Sequence, residues 1–156
     1  MELGIMVSFT LRAIFGATDF IHSGGITDFA VGTFGGGFRL YAASSVDGGL
    51  TAFDLGAGMA AVLDDQAGAT SSSGSYGAAD IDLASFGGGV LLFVAGRYDD
   101  QFAFRHLAAD GSILGVSGTT LGAGMTAALT DLEMVSAGGQ SYVVAGRETA
   151  AGLEVF

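Results

Sequence analysis

The sequence contains no cysteine, no proline, no tryptophan and no lysine among its 156 residues. Without cysteine there is neither a disulfide framework nor a thiolate metal site, and the chain is compatible with oxidising and reducing compartments alike. Without proline, no strand loses a ladder N–H to a ring nitrogen. Positive charge is scarce: five Arg stand against sixteen Asp and Glu, a formal charge of −11 at pH 7. That balance argues against nucleic acid and anionic membrane surfaces as partners, because phosphate contacts need a basic patch. It permits cation binding, and it also keeps an apolar chain in solution. Long apolar runs are missing as well. Half of the residues are apolar, yet the runs break at Gly, Asp or Ser well short of the roughly 18 residues of a membrane span. They have strand length, and no membrane insertion is expected. The opening stretch MELGIMVSFTLRAIF has Glu2 as its first charge and no base before Arg12, so it reads as structure and not as a signal peptide.

What is abundant is glycine, 28 residues of it, and self-similarity. Three segments align: ITDFAVGTFGGGFRLYAASSVDGGLTAFDL from Ile26, AADIDLASFGGGVLLFVAGRYDDQFAFRHL from Ala78, and LTDLEMVSAGGQSYVVAGRETAAGLEVF from Leu129. Their anchors are Asp28, Asp80 and Asp131, spaced by 52 and 51 residues. Each segment begins with period-two alternation, crosses a Gly-rich turn, enters a second apolar run, crosses a polar turn and starts a third run. FGGG and AGG suit tight hairpins, since Gly takes φ > 0 without a Cβ penalty. Gly124 to Gly138 could pass as helix on propensity, but the segments aligned with it are poor helices, so a strand is expected there. About thirty residues then separate each third run from the next anchor, room for a fourth strand and a loop.

Four short antiparallel strands per roughly 50-residue period point to a β-propeller blade. The expected fold is all-β and propeller-like, a single domain over residues 1–156 with three four-stranded blades of about 52 residues. The repeats run over residues 26–77, 78–128 and 129–156, with residues 1–25 supplying an N-terminal strand of a shared or preceding blade. Blades bury both sheet faces, which explains the high apolar content. Phe29, Val31, Phe38, Phe53, Ile81, Leu92, Val94 and Leu132 are among the expected core residues. MELG at the start aligns with FDLG at Phe53 to Gly56, so the chain opens and closes near one phase of the repeat. Known rings have about four to eight blades. Three blades therefore leave two apolar faces, and either a longer polypeptide or self-association through the open blade faces is expected.

The segments TDF, ADIDLASFGGG and VAGR, the AADGS turn at Ala108 to Ser112, the acidic lysine-free composition and the missing cysteine together carry a resemblance. The chain resembles the propeller-type repeat region in N-terminal parts of secreted proteobacterial RTX proteins, the hemolysin-type calcium-binding family. The similarity covers nearly the whole chain as texture and not as one diagnostic motif. It implies an extracellular, secreted bacterial protein in which this region is a non-catalytic scaffold or binding module for a protein or glycan partner. The family's calcium repeat, G-G-x-G-x-D-x-apolar-x, does not occur here, so calcium binding by β-roll turns is not carried over.

Chemistry-bearing candidates are few. Asp28, Asp80 and Asp131 stand at matching places in the first strand of each segment. If those strands line a central channel, the three carboxylates form a ring able to hold calcium; alternatively each accepts a backbone N–H at a turn. The cation-holding case would make the chain a calcium-dependent hydrolase or lactonase-type propeller. Asp64–Asp65 and Asp99–Asp100 read as solvated loop acids. Arg97 and Arg147 read as structural ion-pair partners of Asp99, Asp82 or Glu133. LGAGMAA at Leu55 and LGAGMTA at Leu121 match G-x-G-x-x-A, but that fingerprint needs a following helix, and a glycine-rich turn is expected. His22 and His106 lack companions at metal spacing, and no catalytic constellation is present.

Overall fold

Three pairs of glycines set the architecture. Gly35–Gly36, Gly87–Gly88 and Gly138–Gly139 all have positive φ, between 56° and 86°. Two successive positive-φ residues make the two-residue turn whose twist matches that of paired strands. Each pair closes a hairpin: β1 (Ile26–Phe34) with β2 (Gly37–Ser44), β5 (Ala78–Phe86) with β6 (Gly89–Gly96), and β8 (Leu129–Ala137) with β9 (Gln140–Arg147). A third strand adds to each hairpin: β3 (Leu50–Leu55), β7 (Gln101–Leu107) and β10 (Leu153–Val155). β4 (Ala61–Ala67) completes the first sheet in the order β1-β2-β3-β4. The structure, a computed structural model, describes residues 22, 24–46, 49–56, 61–67, 76–98, 101–114, 129–147 and 152–155.

The molecule is all-β, with three small antiparallel sheets and no helix among the described residues. Leu129 to Ala137 is a strand despite its helix-forming composition. The first sheet has the expected four strands. The second and third have three each among the described residues; their fourth strands are expected between Leu107 and Asp131 and within residues 1–25, of which 115–128, 1–21 and 23 lie outside the described residues.

The sheets stack in chain order. β5 packs against β1 and β2, and β8 packs against β5 and β6. Two apolar seams result. Ala30, Tyr41, Ala43, Leu50 and Ala52 of the first sheet meet Ile81, Leu92 and Val94 of the second. Leu91, Phe93 and Ala95, on the other face of that second sheet, meet Leu132, Val143 and Ala145 of the third. The middle sheet is thus apolar on both faces, and strict polar alternation is lost. Phe29, Val31 and Phe38 depart from expectation: they are 58%, 57% and 48% exposed. They alternate as expected, but onto the face of the first sheet that no other described element covers.

The first strands of the three sheets, β1, β5 and β8, are inner in the sense that the sheets meet along them, and each carries an irregularity at its start. The register shifts between Ile26 and Asp28, between Ala78 and Asp80, and between Leu129 and Asp131. A bulge re-aims the side chain that follows it, and here that side chain is the anchor aspartate.

Candidate functional site

The inner strands β1, β5 and β8 run beside one another, and their carboxylates cross the gaps. Ile81 N–H donates to Asp28 Oδ2 at 3.0 Å. Leu132 N–H donates to Asp80 Oδ2 at 2.5 Å, and Met134 N–H donates to Asp82 Oδ2 at 2.8 Å. Asp82 Oδ1 also accepts from Leu83 N–H at 2.7 Å. These strands are sheet edges, where outward-facing N–H groups need a partner, and the acid of the preceding sheet supplies it. Thr27 adds to the first gap: its hydroxyl donates to the Ala78 carbonyl at 2.8 Å and approaches the Ala43 carbonyl at 3.3 Å. The acceptor lies across a sheet-to-sheet seam and not within a turn.

The anchors therefore converge, but as a chain of contacts. Burial, a hydrogen bond to Asp28 and the negative charges of Asp28 and Asp131 push the Asp80 carboxyl up to about 7, against the pull of the Leu132 N–H. Asp80 is thus partly protonated at neutral pH, and the proton is what lets two carboxyl groups share a bond. Asp131 contributes charge but is itself exposed. Calcium takes six to eight oxygen ligands, with charged carboxylates prominent. Asp28 and Asp80 each have an oxygen committed to an N–H. Among the described residues, no three His, Cys, Asp or Glu side chains are grouped to hold a metal ion.

A second feature lies at the hairpin tips. A cavity of about 510 Å³ opens between the first and second sheets, with Thr33, Phe34, Ser85, Val90 and Leu107 in its wall. Another of about 510 Å³ opens between the second and third, with Ser85, Phe86, Gln140, Ser141 and Tyr142. Ser85 stands in both walls, and among the described residues neither lining includes a charged side chain. In the second, the Tyr142 hydroxyl donates to Gln140 Oε1 at 2.8 Å.

The AADGS segment forms a turn that latches the first seam. Gly111 has φ +84°, and the Tyr41 hydroxyl donates to its carbonyl at 2.6 Å in a buried bond. A Cβ at Gly111 would lie 2.5 Å from Arg39 Cδ and 2.7 Å from Phe34 Cδ2, so this backbone approaches the first sheet as only glycine can. The Asp110 carboxylate accepts from the Ser112 N–H and hydroxyl, which holds it below the usual carboxylate range.

Other expectations resolve simply. Asp64 and Asp65 lie in strand β4 and not in a loop, at the register shift where Ala52 pairs with Asp65 and Phe53 with Leu63. A bulge there hides the period that would have marked a strand. Asp99–Asp100 lie outside the described residues. After Leu55, a strand, β4, begins at Ala61 where the fingerprint needs a helix; Ala57 to Ala60 and Leu121 to Ala127 lie outside the described residues. Arg97 directly follows β6 and Arg147 ends β9, both half-buried, and the Arg97 backbone N–H donates to the Gly77 carbonyl at 3.1 Å. His22 lies against Gly49, whereas His106 sits edge-on to Phe104 in the second sheet. Sequence reasoning missed Asp82, Thr27 and Tyr41 as seam residues. Asp82 was findable: two residues after Asp80, it projects from the same side of the strand.

Among the described residues no helix is long and apolar enough to cross a membrane. The chain matches no protein-family model, and no curated protein is similar to it at a significant level.

Proposed function

We propose that this chain forms three blades of β-propeller type and serves as a non-catalytic scaffold and binding module. One observation carries the scaffold role. The carboxylates most suggestive of chemistry, Asp28, Asp80 and Asp82, each spend an oxygen on an edge N–H of the next sheet. They stitch blade to blade, and the 52-residue recurrence of the anchor follows from the recurrence of the seam. Matching glycine turns, bulges and seams at the same intervals support a repeat. Composition and repeat texture support a setting within a larger secreted protein of RTX type.

The hairpin-tip clefts provide the binding surface. Hydroxyl and amide groups beside the Phe86 and Tyr142 rings match a neutral glycan, whose hydroxyls need donors and acceptors and whose ring faces pack on aromatics. Titration with a panel of neutral oligosaccharides, followed by amide chemical shifts, tests this. Shifts at Ser85, Gln140 and Ser141 that vanish in Tyr142→Ala are expected, and a panel without shifts overturns glycan binding. The approach of Asp28, Asp80 and Asp131 favours a second reading, a calcium-dependent hydrolase with an acidic channel. Millimolar calcium should leave the melting temperature of a scaffold unchanged; a rise of several degrees would favour the hydrolase.

A further inference from the structure

The two covered seams define what the two uncovered faces lack. In each seam an inner-strand acid of one sheet accepts the N–H of the residue that follows the next sheet's anchor. Asp28 takes Ile81 and Asp80 takes Leu132. Asp82 takes Met134 in the same way. Continued one step, the series has Asp131 and Glu133 as its next acceptors. Both are exposed, and neither accepts an edge N–H among the described residues. Carried one step back, it has the N–H groups of Phe29 and Val31 on the β1 edge as its donors, in the places that Ile81 and Leu83 hold on β5, and no carboxylate among the described residues accepts from either. The apolar parts match too. Val135, Tyr142, Val144 and Val155 stand where Ala84, Leu91, Phe93 and Phe104 line the second seam. Phe29, Val31 and Phe38 stand where Ile81, Leu83 and Val90 line the first.

We infer that the outer face of the third sheet docks onto the outer face of the first sheet of a second copy of this chain. Asp131 accepts the partner copy's Phe29 N–H, Glu133 accepts its Val31 N–H, and Val135 and Tyr142 pack on its Val31 and Phe38. The open surfaces are head and tail of one series and not copies of one patch, so the contact is heterologous. Two copies satisfy both faces of each other at once and close six sheets, within the range of about four to eight that rings adopt. The inference rests on the stacked-repeat reading above, but the two can fail separately. A chain that stays monomeric refutes the docking and leaves the internal seams intact.

Light scattering on the eluting chain tests it, with Val31→Glu and Val135→Glu as variants at exposed positions. The parent should elute at twice the chain's 15.5 kDa. Each variant should be monomeric, and their equimolar mixture should associate where neither does alone, because one unaltered head still meets one unaltered tail. Asp131→Ala, which leaves the apolar faces untouched, should weaken association about a hundredfold, because each dimer loses two charge-assisted bonds, one at each contact. A monomeric parent at micromolar concentration overturns the proposal. So does a Val135→Glu chain that still dimerises, since that would place the first-sheet faces against each other.

Discussion

Ile81 and Phe29 hold the same place in two inner strands, each directly after an anchor aspartate, yet Ile81 is 4% exposed and Phe29 58%. The first lies in a seam between sheets and the second on an outer face. The residue type does not explain the difference, since phenylalanine is at least as apolar as isoleucine. The neighbouring sheet does. Apolar alternation specifies a face that can be buried, and only the next sheet buries it.

The comparison is most sharply tested in the covered seams. Leu92→Ala should cost about 2–5 kcal/mol in urea unfolding, because the side chain is fully buried between the first two sheets. Phe29→Ala should cost under about 1 kcal/mol at dilutions where the chain is monomeric. Equal costs would mean that the outer face is covered. Next in size, Asp28→Ala should cost about 1–3 kcal/mol at pH 5, since it strands the Ile81 N–H in a part-buried site. Asp131→Ala in the monomer should be near neutral.

The third test uses pH. Folding raises the Asp80 carboxyl from 3.8 to about 7. Between those values the native chain binds more protons than the unfolded chain, so Asp80 makes stability fall as pH rises through that window and level off above it. Asp80→Asn mimics the protonated acid, donating to Asp28 and accepting from Leu132. It should remove that part of the slope and unfold at higher urea than the parent at pH 8. An unchanged slope would remove Asp80 from the seam's electrostatics. The smallest effect is expected for Tyr41→Phe, which deletes only the hydroxyl bond to the Gly111 carbonyl and should cost about 1 kcal/mol.

Much of this architecture was legible in the sequence. Paired glycines announced the hairpins because only positive φ closes a two-residue turn, and the spaced aspartates marked the inner strands. What the aspartates do was less legible. Asp28 and Asp80 look alike as channel ligands and as acceptors for an edge N–H, and the choice depends on where the next strand's backbone lies. Phe29, Val31 and Phe38 were expected in the core because pattern reports apolarity and not the presence of a cover. Tyr41 was invisible as a latch, since its partner Gly111 is 70 residues away.

Amide hydrogen exchange at Leu132 tests the seam most directly. Its N–H faces away from its own hairpin, and the Asp80 carboxyl is what protects it. Exchange measured residue by residue should be slow at Ile81 and Leu132 in the parent. In Asp80→Ala it should accelerate at Leu132 by about tenfold or more while Ile81, held by Asp28, keeps its protection. Unchanged exchange at Leu132 in that variant would contradict the stitched-seam account.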